Sequence, residues 1–176
     1  MSELHGEPDV AAAEAAWIAC AGAAVAVADR VEAARKWAEA LRIARLELPP
    51  GHPFLLPSLV HHALALAERE PALAWRLIDE AIACAHGLAR DVDALACHAT
   101  ARSSTFHLRL EAKHPGAYTE RRRHALGERL DGVVRFLAGL RDGRGPPAQA
   151  PDPAAIAGAG STVELALACL PHAALR

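Results

Sequence analysis

Helix start and stop signals recur along this chain at short intervals, and between them apolar residues repeat with the period of a helix. Asp9, preceded by Pro8, opens such a pattern that runs through Val27. Asp29 followed by Glu32 has the form of a capping box and starts a second helix, to about Leu48, where Pro49-Pro50-Gly51-His52-Pro53 stops it. A third helix is predicted from Phe54 or Ser58 to Arg69. Glu70-Pro71 places proline at the first position of a fourth, ending near Gly87-Leu88. Asp91 can cap a fifth that reaches about Ala112, and His114-Pro115-Gly116 separates it from a sixth spanning about Tyr118 to Leu140. Residues 1–141 thus read as a domain of antiparallel helical hairpins. Residues 142–160, rich in Gly, Pro and Ala, read as a linker. In 161–176, Ser161 and Glu164 form a capping box ahead of Leu165, Leu167 and Leu170, so a short helix is expected there, docked on the body to remove its apolar side chains from water.

Composition agrees with an all-α fold. Hydrophobic residues make up 52% and aromatics only 4%, an alphabet dominated by Ala and Leu that favours helices in close contact over a β-sandwich. With 176 residues the chain can bury one core without disulfides or a structural metal. The formal charge of −2 supplies no field to hold a phosphate backbone, so nucleic acid is not expected as a partner. Cys20, Cys84, Cys97 and Cys169 lack paired spacing, which points to reduced thiols and a cytoplasmic setting. No secretory signal follows Met1, and no charge-free apolar run has membrane-spanning length.

The helical pairs repeat. Ala33, Trp37, Ala40 and Leu41 have a small-large-small spacing that Ala74, Ile78, Ala81 and Ile82 reproduce 41 residues later. Trp17, Cys20 and Ala21 are answered by Leu59, His62 and Ala63 after 42. A period of this size is the signature of an α-solenoid, because one hairpin cannot bury its apolar face without a neighbour. The stretches Ala40-Leu41-Arg42-Ile43-Ala44-Arg45, Gly51-His52-Pro53 and Ser58 to Ala67 resemble the longer tetratricopeptide (TPR) repeat of kinesin light chains, over roughly Val10 to Leu88. The third pair, Leu95–Ala99 followed by Tyr118–Leu140, keeps the size alternation in its first helix only and reads as a terminal capping pair.

The resemblance implies a short TPR-like stack with an inner wall that binds protein or peptide. That wall would carry Ile18, Gly22 and Val25, then Val60, Leu64 and Ala67, then Ala96, Thr100 and Ser103. Ile18, Val25, Val60, Leu64, Ala67 and Thr100 are the expected partner contacts. Being mostly apolar, the wall suits an amphipathic helix or hydrophobic peptide better than an acidic tail. Small residues at Ala21, Ala33, Ala40, Ala63, Ala74 and Ala81 are expected to let helix axes approach, with Trp17, Trp37 and Ile78 filling the core.

Ten histidines raise a metal- or cofactor-handling alternative through His61, His62, Cys97 and His98. Adjacent helical residues point about 100° apart, so His61 and His62 serve one centre poorly, and buried or solvated histidines are the plainer expectation. Cys84-x-His86 with Cys97-His98, and the more distant Cys169-x-x-His172, lack knuckle spacing, and Cys84 and Cys97 read as small buried hydrophobes. No cofactor is expected. Ser103-Ser104 has no strand-turn-helix elbow, and Gly143-Arg144-Gly145-Pro146-Pro147 has no preceding strand, so no enzymatic activity is expected. The run Glu120-Arg121-Arg122-Arg123-His124, continued by Arg129 and Arg135, reads as a solvated face broken by Glu128 and Asp131.

Overall fold

The computed structural model describes residues 9–96, 120–144 and 150–171, and every regular element among them is a helix. In chain order these are α1 (Val10–Ala26), α2 (Arg30–Leu46), α3 (Leu55–Leu66), α4 (Pro71–Ala96), α5 (Glu120–Arg141), α6 (Pro153–Ala157) and α7 (Thr162–Ala168). Each of α1 to α4 packs against the next, and α4 packs against α5. Among the described residues no helix is long and apolar enough to cross a membrane.

The helix starts follow the local chemistry. Asp9 Oδ1 accepts from the Ala12 amide at 3.1 Å, and Asp29 Oδ1 from the Val31 amide at 3.0 Å. The expected capping box at Asp29 is only half formed, because Glu32 pairs with Arg35 and Lys36 one turn along. At α7 Ser161 Oγ accepts from the Glu164 amide at 3.2 Å, while Glu164 Oε2 accepts from the Gly160 amide, one residue before the N-cap, at 2.8 Å, a capping box displaced by one residue. The stop after α2 is a type II turn. The His52 amide donates to the Pro49 carbonyl at 3.1 Å, and Gly51 at φ 78° takes the position that requires a positive φ. A second left-handed glycine, Gly143 at φ 70°, ends α5. Its amide donates to the Leu140 carbonyl, and that of Arg144 to the Gly139 carbonyl at 2.8 Å, a Schellman closure.

The fourth helix departs from expectation. It does not stop at Gly87-Leu88 but continues to Ala96, with Asp91 inside it rather than at a cap. Ala81, Ala85, Leu88 and Val92 form one buried stripe, in the same core as Leu126, Leu130, Val133 and Leu137 of α5. Burying Leu88 and Val92 stabilises the helix by several kcal/mol, which outweighs the roughly 1 kcal/mol that Gly87 costs. The helix predicted to reach Ala112 falls, beyond Ala96, outside the described residues.

Two buried clusters result. The first joins Leu56, Leu59 and Val60 of α3 to α4, α5 and to Val163, Leu167 and Leu170. The second gathers Trp17, Ala21, Trp37, Ala40, Ile43 and Phe54 with Ala166 and Cys169. The C-terminal helix therefore belongs to both cores. Of the residues expected to permit close approach, Ala21, Ala40, Ala63, Ala74 and Ala81 are buried, as are Trp17, Trp37 and Ile78; Ala33 is only half-buried. The predicted linker is partly helical, since Asp152 caps α6 by accepting from the Ala154 amide at 2.9 Å.

Candidate functional site

Trp17 of α1 stacks on Phe54 with ring centroids 3.9 Å apart and meets Trp37 of α2 edge-on at 6.2 Å. Trp37 in turn stacks on His61 of α3 at 4.0 Å and 8°. This ladder ties α1, α2 and α3 together, and hydrogen bonds hold it at Trp17, His52 and His61. Trp17 Nε1–H donates to Ser58 Oγ at 2.8 Å, and the Ser58 hydroxyl donates to the Phe54 carbonyl at 2.8 Å. At one end His52, delivered inward by the type II turn, accepts from the Phe54 amide on Nδ1 at 3.2 Å. Its Nε2–H then faces Glu14 Oε1 at 3.1 Å. Burial lowers the pKa of His52, with the Glu14 carboxylate acting against that shift.

At the other end His61 Nε2–H donates to the Cys169 carbonyl at 2.7 Å. Cys169 is the C-cap of α7, so this carbonyl is one that the helix itself leaves without a partner. Burial pushes the His61 pKa down to about 4, and the bond to Cys169 only partly offsets it, so the ring is neutral at pH 7.

Beside the ladder lies a cleft of about 460 Å³. Its walls are Val25 and Ala24 of α1, Ala33 and Ala34 of α2, and Leu64 and Ala65 of α3, with Trp37 and His61 between them. Ala150, Pro151 and Pro171 from the C-terminal segments complete it, and Arg30 is the charged side chain in its lining. A smaller cavity of about 190 Å³ shares Arg30, Ala34, Leu64 and Ala65 and adds Glu68 and Arg69. The volume of the larger cleft lies within the range of ligand sites.

The sequence-predicted contacts are divided by the fold. Val25 and Leu64 come together in this cleft. Ile18, 46% exposed, borders a separate apolar cavity of about 60 Å³ with Gly22, Ile156, Leu165 and Cys169. These α1 residues, expected on an inner wall, thus border the chain's own C-terminal region. Val60 is fully buried, in the same core cluster as Val163, Leu167 and Leu170, and so is not a surface contact. Ala67 is exposed at the C-cap of α3 and lines none of the three cavities. Thr100, with Cys97 and His98, lies outside the described residues.

The histidine pair separates as the helical spacing requires. His61 faces Trp37 and Cys169, whereas His62 senses Arg45 and Glu70, and burial lowers its pKa. His62 Nδ1 is buried without a hydrogen-bond partner. Among the described residues no three His, Cys, Asp or Glu side chains converge as a metal ligand set. Burial raises the Cys84 and Cys169 thiols to about 12, which keeps them protonated. In the basic stretch of α5, Arg121 is exposed, His124 meets Glu128 at 3.5 Å, and burial lowers the pKa of Arg129.

Trp37 lies in the core as its spacing predicts, but nothing in the local sequence indicates that it and His61 line a cleft, or that Arg30, Pro151 and Pro171 border it. No local pattern marks the two prolines. They reach α3 from 80 or more residues away, through the docking of α7. In comparison with known proteins, no family model, no curated protein and no solved structure matches this chain.

Proposed function

We propose that this chain is a TPR-like binding module that holds a short, mainly apolar peptide segment of another protein in the cleft between α1, α2 and α3. The observation that carries this reading is the cleft itself: an apolar concavity on a floor fixed by the Trp37–His61 stack at 4.0 Å. Side chains held by stacking need not be ordered when a ligand enters, so less of the binding free energy is lost.

Size narrows the ligand. A helix 10–12 Å across fills about 420–610 Å³ per 5.4 Å turn, so a cleft of about 460 Å³ takes one turn or a few extended residues. Beside this cleft the surface of α1 and α3 that a longer helix would need is already bordered by α7 and its flanks. Val163 and Leu167 of α7, and Leu170 just past its C-cap, are fully buried. At 1.5–3 kcal/mol each, they contribute roughly 5 to 9 kcal/mol of gross burial energy, comparable with the net stability of a whole domain. We therefore assign α7 to the fold, as a cap over the helical pairs, and the remaining cleft to the partner.

A random heptapeptide display library selected against the intact chain tests the reading. Enriched peptides should bind the parent and lose binding to Ala34→Trp, which fills the cleft, and to Leu64→Gln, which makes its wall polar. Both variants should retain the parental circular dichroism. Equal binding to parent and folded variants would sink the assignment.

A further inference from the structure

We infer that the peptide segment carries a carboxylate, seated against Arg30 at the rim of the cleft, while its apolar side chains occupy the space over Trp37 and Leu64; this rests on the binding role proposed above. Arg30 borders both the larger and the smaller cavity. It differs from the other arginines of its helix. Arg35 pairs with Glu32, Arg42 with Glu39 and Glu47, and Arg45 with Glu80, whereas Arg30 has no ion pair among the described residues.

The acids nearest to Arg30 in sequence are already engaged: Asp29 accepts from the Val31 amide, and Glu32 holds Arg35 and Lys36. In the smaller cavity Glu68 and Arg69 offset one another, which leaves Arg30 as the net charge of the combined surface. Its position at the first residue of α2 strengthens the argument. A cation is unfavourable at the positive end of a helix dipole, and with the Asp29 carboxylate already spent on the cap, an incoming carboxylate would offset the charge of Arg30. An apolar segment with a basic residue at this rim would meet like charge instead.

The same library distinguishes this inference from the reading beneath it. Among peptides whose binding depends on an open cleft, judged by loss with Ala34→Trp, Asp and Glu should be at least about twofold over the unselected library, and the excess should vanish on Arg30→Glu. For one enriched synthetic peptide, replacing its acid by the amide should weaken binding to the parent about two- to fivefold, as for an exposed ion pair. The same replacement should have no effect on Arg30→Gln. Added salt should erase the difference. Cleft-dependent peptides without an acidic excess, or an equal loss on Arg30→Gln, would overturn the carboxylate and leave the cleft standing. Absence of any cleft-dependent peptide would overturn the binding role itself.

Discussion

His61 joins the aromatic ladder to the last turn of α7, and its ionisation should be visible in stability. Its folded pKa, about 4, lies below the usual 6.5 of an imidazole. The unfolded chain therefore holds more protons between those values. The stabilisation is complete above pH 6.5 and is lost as the pH falls toward 4. Burial shifts His52 and His62 in the same direction, so the contribution of His61 must be read by difference. His61→Gln keeps an N–H for the Cys169 carbonyl and removes the titration. Between pH 7 and 4.5 the parent should lose about 2 kcal/mol more than this variant in urea unfolding, and equal losses would show that His61 is solvated. Ser58→Ala leaves the Trp17 indole N–H buried without an acceptor and should cost about 1–3 kcal/mol. Trp37→Ala, which removes both the edge contact with Trp17 and the stack on His61, should cost roughly 3–5 kcal/mol. A melting temperature within a degree or two of the parent would refute the ladder's role.

At the scale of elements, α7 and the two residues after it link the two cores, with Val163, Leu167 and Leu170 in one cluster and Ala166 and Cys169 in the other. Leu167→Ala should destabilise by about 2–5 kcal/mol, and Ser161→Ala, which removes the N-cap, by about 1 kcal/mol. Amides from Leu165 to Leu170, bonded within the helix and its cap, should exchange with solvent as slowly as those of α3. Fast exchange there, with α3 protected, would mean that α7 opens alone and competes for the groove instead of capping it.

At the scale of the molecule, surface charge contributes little. Arg141 meets Asp79 at 2.7 Å, but both side chains are about half exposed. Arg141→Ala should change unfolding free energy by less than about 1 kcal/mol. A loss of several kcal/mol on chemical denaturation would show that the α4–α5 contact depends on this pair rather than on the buried stripe from Ala81 to Val92.

Much of the architecture follows from local rules that one helix obeys without its neighbours. Asp9, Asp29 and Ser161 cap where capping chemistry places them, Pro71 opens α4, and the alanine spacing puts Trp17 and Trp37 inward. The exception shows the limit of such rules: Gly87 is a local stop signal, and the buried stripe of Leu88 and Val92 overrides it through contacts with a helix more than thirty residues away. The cleft belongs to that second class. Val25 and Leu64, two of the contacts expected from the repeat spacing, do line it, but Val60, expected beside them, is buried in the core that includes residues of α7. Pro151 and Pro171 reach the cleft only because Val163, Leu167 and Leu170 bury themselves. Caps and periodicity act over a few residues of chain and are written in the sequence itself. Burial sums over whatever the folded chain brings together, and which surface stays open is settled only once every apolar face has found its cover.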